Sequence, residues 1–149
     1  MMRDLLTKAA QIQLVIFDVD GVLTDGCLYL GNDGNEFKAF HIRDGQGVKM
    51  LLESGVEIAI ISGRRAASVE RRMSDLGIRY AYLGVDDKLA AFHSLLARLG
   101  LTAEQVAYVG DDLIDLPVMT QVGLAIAVQD ADPFVKQHAH WQTPSPGGR

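Results

Sequence analysis

The sequence predicts an α/β domain with a doubly wound parallel sheet, on three observations. Short apolar runs of strand length alternate with longer segments of helical period, which is typical of a parallel sheet covered by helices on both faces. A glycine follows each of the helical segments, and one cluster of turn residues interrupts the alternation. The 149 residues, 48% hydrophobic and 22% charged, suit one ordinary core. We therefore expect a single domain over residues 1–149.

The predicted core strands are apolar along nearly their whole length, as strands buried on both faces of a sheet must be. Four are strongly marked, and a fifth has a weaker pattern. They are Leu14–Phe17, Glu57–Ile61, Ala107–Val109 and Leu124–Val128, with Ala81–Leu83 as the fifth. Parallel neighbours need crossover connections, which the helical segments between them supply.

The predicted helices carry apolar residues at spacings of three and four, and each ends before a glycine that can adopt a left-handed conformation. Asp86 or Asp87 is expected to cap the third helix at its N-terminus. The segments are Gly47–Ser54, Ala66–Leu76, Lys88–Leu99 and Leu113–Val122.

Residues 26–40 interrupt this alternation. Cys27–Leu30 and Glu36–Phe40 have strand-like composition, and Gly31–Asn35 between them contains residues that tolerate positive φ. This pattern predicts a protruding hairpin whose edges and apolar side chains need a partner. Residues 143–149, rich in proline and glycine, are expected to form a flexible tail.

Charge and cysteine content limit the partners and the compartment. A formal net charge of −5 argues against a nucleic acid or an anionic membrane, because both favour a basic face. Cys27 is the only cysteine, so neither an intramolecular disulfide nor a cysteine zinc cluster can form within the chain. The N-terminus lacks the apolar run of a signal peptide. We therefore expect a cytoplasmic protein.

Polar residues follow four of the predicted strands, at the sheet edge where open parallel sheets bind ligands. Such carboxylate, hydroxyl and lysine groups suit phosphoryl transfer, in which a carboxylate attacks and a hard cation neutralises phosphate oxygens. The motifs are Asp18-Val19-Asp20-Gly21, Ser62-Gly63-Arg64, Asp86-Asp87-Lys88 and Gly110-Asp111-Asp112.

In this order the motifs resemble those of the haloacid dehalogenase superfamily, through nearly the whole chain. The resemblance implies a Rossmann-like fold in which Asp18 is the nucleophile and Asp20 is the general acid and base. It also implies that phosphate is held by residues of three motifs, namely Val19, Ser62, Gly63, Arg64 and Lys88.

The same resemblance implies Mg²⁺ as the cofactor. Its ligands would be Asp18, the backbone carbonyl of Asp20, and Asp111. Asp112 and Asp115 would lie behind these ligands and support them.

Three further features are similar to the family of 3-deoxy-D-manno-octulosonate 8-phosphate phosphatases, which serve lipopolysaccharide sugar synthesis. They are the extended motif DVDGVLTDG, the stretch from Phe40 to Gly47, and ISGR at 61–64 with no cap domain before it. This resemblance implies a small phosphorylated sugar acid as substrate. It also implies a homotetramer in which the hairpins pair and help to close neighbouring sites.

Three alternatives stay open. A response-regulator receiver shares the parallel sheet and the acidic pocket, although an acid at Asp20 would hydrolyse the phosphate that a receiver must retain. A non-catalytic phosphatase-like module is the second alternative, although the catalytic residues are intact. The third is a phosphatase for another nonulosonate or sugar phosphate.

Overall fold

The structure is a computed structural model that describes residues 2–149. Its strands are β1 Leu14–Phe17, β2 Tyr29–Leu30, β3 Glu36–Phe37, β4 Glu57–Ile61, β5 Tyr80–Tyr82, β6 Val106–Gly110, β7 Leu124–Ala127 and β8 Trp141–Gln142. Its helices are α1 Met2–Ala10, α2 Ile42–Glu53, α3 Ala67–Leu76, α4 Lys88–Leu99, α5 Leu116–Met119 and α6 Pro133–Gln137, with 3₁₀ turns at Ala103–Gln105 and Leu113–Asp115.

The main sheet is parallel, with strand order β5-β4-β1-β6-β7-β8. From β1 the chain moves outward through β4 to β5, then returns to the other side of β1 and moves outward through β6, β7 and β8. Right-handed crossovers therefore place α2 and α3 on one face, and α4 and α5 on the other. The strand order reverses next to β1, which is where doubly wound sheets bind their ligands.

The predicted doubly wound fold is confirmed, and the five predicted core strands lie within one residue of the observed ones at every end. Side chains of these strands fill the core on both faces: Ile16, Ile60 and Tyr108 are fully buried. The sixth strand, β8, was not predicted. Both of its residues are exposed, so its sequence carries no burial pattern, and it forms by pairing with β7.

Two predicted helices differ from the structure. α2 begins at Ile42, five residues earlier than expected, because His41 caps it by accepting a hydrogen bond from the Arg43 backbone N–H at 3.1 Å. Gly45 lies inside this helix rather than before it. A Cβ there would lie 2.5 Å from the Arg72 side chain, so the close packing favours a glycine at this position.

The predicted fourth helix is a 3₁₀ turn followed by the short α5. Reciprocal capping between Asp112 and Asp115 explains the tight turn. Helices α1 and α6 were not predicted.

The expected hairpin is confirmed as the antiparallel pair β2–β3, which aligns Tyr29 with Phe37. Its strands are shorter than predicted, and no cap domain lies between β1 and α2. Several large apolar side chains of this hairpin are exposed, namely Leu28, Tyr29, Leu30 and Phe37. Among residues 2–149, no helix has both the length and the apolar character needed to cross a bilayer.

Residues 143–149 lie against the loop that follows β1. The Gly148 N–H donates to the Val22 carbonyl at 2.9 Å, and the Gly147 N–H donates to Asp130 Oδ1 at 3.0 Å. The flexibility expected of this tail stays a prediction, but its glycines have defined contacts beside the candidate site.

Candidate active site

The strand register brings three of the sequence motifs to one place. β1 pairs with β4 and β6 so that Phe17 aligns with both Ile60 and Val109. The three strands therefore end at the same level, at the reversal point of the sheet. The polar residues that follow within two positions are Asp18, Ser62 and Asp111.

Asp18 is held almost out of contact with solvent, at 5% exposure. Its Oδ1 accepts a hydrogen bond from the Val19 N–H at 2.7 Å and lies 3.2 Å from Lys88 Nζ. Burial, and then the nearby Asp115 carboxylate, raise the pKa of Asp18 to about 6, against the lowering effect of Lys88. The Asp18 carboxylate is thus held in place by contacts to one of its two oxygens.

Lys88 enters the site from the N-terminus of α4. Asp87 fixes this helix start by accepting a hydrogen bond from the Ala90 N–H at 3.1 Å. Burial lowers the pKa of Lys88, but the Asp18 and Asp115 carboxylates outweigh burial and raise it above its ordinary value. Lys88 is therefore a charged ammonium next to the predicted nucleophile.

Asp115 joins Lys88 to the loop that carries Asp111. Its Oδ1 accepts from Lys88 Nζ at 2.8 Å and from the Tyr108 hydroxyl at 2.6 Å. Its Oδ2 accepts from the backbone N–H groups of Asp111 and Asp112 at 3.0 and 3.2 Å. Asp115 is fully buried, and the supporting role assigned to it stays a prediction. The contribution of Tyr108 was missed, because its apolar neighbours in β6 indicated only a core residue.

Asp111 and Asp18 form a site that fits a divalent cation. Carboxylate oxygens of Asp18, Asp111 and Asp115 lie within 4.8 Å of one another, and Asp111 Oδ1 is buried without a hydrogen-bond partner. Burial, and then the charges of the neighbouring carboxylates, raise the pKa of Asp111 to about 8. A bound cation would offset this repulsion, and hard oxygen donors suit Mg²⁺.

The side-chain cluster differs in one member from the predicted metal set. Both oxygens of Asp115 already accept hydrogen bonds, so Asp18 and Asp111 are the more available side-chain ligands. Asp20 was predicted to bind through its backbone carbonyl, which is independent of the side-chain cluster. Its role as a ligand stays a prediction.

Gly21 allows the two acidic loops to approach each other. Its φ is +86°, and a Cβ at this position would lie only 1.9 Å from Asp111 Oδ2. An L-residue would therefore be strained and would collide with a predicted metal ligand.

The motif after β4 lies on the other side of Asp18. Ser62 is 2% exposed, and its Oγ accepts a hydrogen bond from the Arg64 N–H at 3.3 Å. The Arg64 side chain is 53% exposed, and its Nη2 donates to Glu36 Oε1 of the hairpin at 2.6 Å. Ser62 thus faces the protein interior, whereas Arg64 faces the open side of the site.

Asp20 points toward the hairpin, and its contacts include a residue that the sequence did not indicate. Lys38 Nζ forms an ion pair with Asp20 Oδ1, and Arg64 Nε lies 3.8 Å from Asp20 Oδ2. The alternation of Glu36 and Lys38 along the predicted strand Glu36–Phe40 was the available signal, because residues two apart in a strand face the same side.

A parallel sheet with paired acids, a buried lysine and a cation site at its carboxyl edge defines a hydrolase of the haloacid dehalogenase type. The model of the family described as haloacid dehalogenase-like hydrolase matches residues 84–147. The chain is 54% identical over 146 residues to the 3-deoxy-D-manno-octulosonate 8-phosphate phosphatase KdsC of Yersinia pestis, covering 98% of this chain and 78% of the relative. The corresponding Escherichia coli protein is 53% identical over the same shares of each chain.

A crystal structure of the 3-deoxy-D-manno-octulosonate 8-phosphate phosphatase from Moraxella catarrhalis contains a magnesium ion, a phosphate ion and a KDO molecule. It superposes with a TM-score of 0.97 at 39% identity, covering 100% of this chain and 86% of that one. The chain belongs to the family of 3-deoxy-D-manno-octulosonate 8-phosphate phosphatases.

Proposed function

We propose that this protein is a Mg²⁺-dependent phosphatase that releases phosphate from 3-deoxy-D-manno-octulosonate 8-phosphate. The observation that carries the proposal is the pairing of buried Asp18 with Lys88, beside the unpartnered Asp111 oxygen. This arrangement supplies a fixed carboxylate, a fixed positive charge and a cation site within one small volume. The names of the relatives support the choice of substrate.

Asp18 is the nucleophile. Because Val19 N–H and Lys88 both contact Oδ1, Oδ2 is the oxygen that attacks phosphorus. The bond between phosphorus and the sugar oxygen breaks as the aspartyl-phosphate forms. Bound Mg²⁺ supplies positive charge that stabilises the phosphate oxygens.

Asp20 is the general acid and base. It gives a proton to the departing sugar oxygen, then takes one from the water that attacks the phosphorus of the intermediate and frees Asp18. The phosphate is positioned by side chains and backbone amides of the loops around Asp18. These groups belong to Val19, Ser62, Gly63, Arg64 and Lys88. The metal ligands are Asp18, the Asp20 carbonyl and Asp111, with Asp112 and Asp115 behind them.

The active assembly is a homotetramer formed through the hairpins. The support for this is a set of exposed apolar side chains on the hairpin, which a second copy would cover. Each chain contributes one domain over residues 1–149, with the tail at 143–149 mobile in solution. The cytoplasm is the compartment, in keeping with the single cysteine. Sedimentation at several concentrations tests the assembly, and a monomer throughout would contradict it.

The test of the function is phosphate release from 3-deoxy-D-manno-octulosonate 8-phosphate with Mg²⁺ and with chelator, beside a panel of other sugar phosphates. Asp18→Asn should abolish turnover, whereas Asp75→Asn on the exposed face of α3 should retain it. Selective turnover that requires metal supports the proposal. Turnover of a different sugar phosphate would keep the mechanism and replace the substrate. No release from any substrate would favour a non-catalytic module.

A further inference from the structure

Four charged side chains form a cluster beside Asp18, and two of them come from the hairpin. Lys38 Nζ pairs with Asp20 Oδ1 and lies 3.6 Å from Glu36 Oε2. Arg64 pairs with Glu36 at 2.6 Å and lies 3.8 Å from Asp20 Oδ2. Each cation therefore contacts both carboxylates, so the cluster links the loop after β1, the hairpin and the loop after β4.

The two cations differ in their access to water. The Lys38 side chain is 1% exposed, whereas that of Arg64 is 53% exposed. A buried ammonium that is shielded from water depends on its charged partners. Without them, the free-energy cost of removing its charge from water would not be offset. Lys38 is therefore the fixed member of the cluster, and Arg64 is the cation that an incoming anion can reach from solvent.

The hairpin places Lys38 by the alternation of a strand. Glu36 and Lys38 lie two residues apart and both face the charged cluster, whereas Phe37 between them is 59% exposed on the opposite side. β3 and the residue that follows it thus present an apolar side chain outward and two charges inward.

We infer that Lys38 is a positioning residue for the proposed reaction: it holds the Asp20 carboxylate in place for transfer of a proton to the leaving oxygen. Glu36 in turn holds Lys38. The inference rests on the proposed function, since it assigns Lys38 a role through Asp20. It makes the hairpin part of the catalytic apparatus of its own chain.

The inference predicts a loss that depends on the leaving group. An alkoxide needs a proton as it departs, whereas p-nitrophenolate departs without one. In Lys38→Met, kcat/KM for the sugar 8-phosphate should fall at least about 10-fold, since acid catalysis contributes roughly 10²–10⁴-fold. For p-nitrophenyl phosphate, whose leaving group needs no proton, kcat/KM should fall less than about threefold. The inhibition constant of inorganic phosphate should not change, because Lys38 does not hold the phosphate.

Matched variants separate positioning from a general structural effect. Lys49→Met removes an exposed lysine of α2 and should leave both substrates unaffected. Lys38→Arg keeps a buried cation and should restore part of the activity toward the sugar phosphate. Circular dichroism and melting temperature establish that each variant is folded.

Equal losses on both substrates in folded Lys38→Met would overturn the inference. If that variant does not fold, Glu36→Gln decides, because it keeps Lys38 but removes one of its two anchors. Glu36→Gln should also lose more kcat/KM toward the sugar phosphate than toward p-nitrophenyl phosphate, by a smaller factor than Lys38→Met. Equal losses on the two substrates would again overturn the inference. Wild-type protein that hydrolyses neither substrate with Mg²⁺ would instead contradict the proposed function.

Discussion

Replacing Gly21 with alanine should damage the cation site while leaving the fold intact. The new Cβ would lie 1.9 Å from Asp111 Oδ2 and 2.8 Å from its Cγ. Since contacts below 3.0 Å are essentially never seen for a Cβ, the carboxylate oxygen must move by about 1 Å, a displacement that can cost about 10²-fold in rate. That loss corresponds to about 2.7 kcal/mol of transition-state stabilisation.

The backbone contributes a separate cost, which a matched variant measures. Gly34 in the hairpin turn has the same φ of +86°, but no atom lies within 4 Å of the position that a Cβ would take there. Both alanine variants should lose about 1–2 kcal/mol of folding stability, the cost of a left-handed conformation for an L-residue. Only Gly21→Ala should also lose catalytic activity.

The assay combines urea unfolding with initial rates over a Mg²⁺ titration. Gly21→Ala should need more Mg²⁺ for half-maximal activity and show a kcat/KM reduced by about 10²-fold, while Gly34→Ala follows the wild type. A wild-type Mg²⁺ dependence in folded Gly21→Ala would refute the assignment of Asp111 as a ligand.

Three further results are expected. Asp115→Ala should lower the free energy of unfolding by about 3–5 kcal/mol, because it removes one of the two carboxylates that pair with the buried Lys88 ammonium and leaves the Tyr108 hydroxyl without its acceptor. Asp112→Ala should cost only about 1 kcal/mol as a lost cap, and urea denaturation compares the two. The metal-free protein should lose stability as pH rises from about 4 to about 8. The pKa values of Asp18 (about 6) and Asp111 (about 8) exceed the ordinary 3.8. The folded state therefore binds more protons than the unfolded chain in this window, and raising the pH favours unfolding. Saturating Mg²⁺ should remove that decline, and a flat profile in chelator would contradict it. Phe92→Ala should cost about 3–5 kcal/mol at a fully buried site and leave the Mg²⁺ concentration for half-maximal activity unchanged.

Four of the core strands were predictable because each is a nearly continuous apolar run between polar turns. The edge strand β8 was not, since Trp141 and Gln142 are exposed and become a strand only by pairing with β7. The start of α2 was missed because the glycines at 45 and 47 suit a turn that leads into a helix. The packing of Gly45 against Arg72, distant in sequence, explains why a glycine lies inside that helix.

The motif residues were predictable because they follow strands that end at one edge of the sheet. Tyr108 and Lys38 were not assigned to the site from the sequence. Tyr108 resembles any core residue of β6 until its hydroxyl is seen to contact Asp115. Lys38 reaches Asp20 only because the hairpin folds back over the loop after β1; the alternation of Glu36 and Lys38 indicates that they share a side, but not which residue they meet.

The covalent intermediate on Asp18 is the central claim, and acid-quenched single turnover tests it most directly. Substrate labelled in its phosphate group is mixed with excess enzyme and Mg²⁺, and the reaction is quenched with acid within milliseconds. The label on the precipitated protein is then measured, and the protein is digested to locate the labelled peptide. We expect base-labile label on the peptide that contains Asp18, and none on Asp18→Asn. Phosphate release by the wild type with no label on the protein at any quench time would contradict the aspartyl-phosphate mechanism.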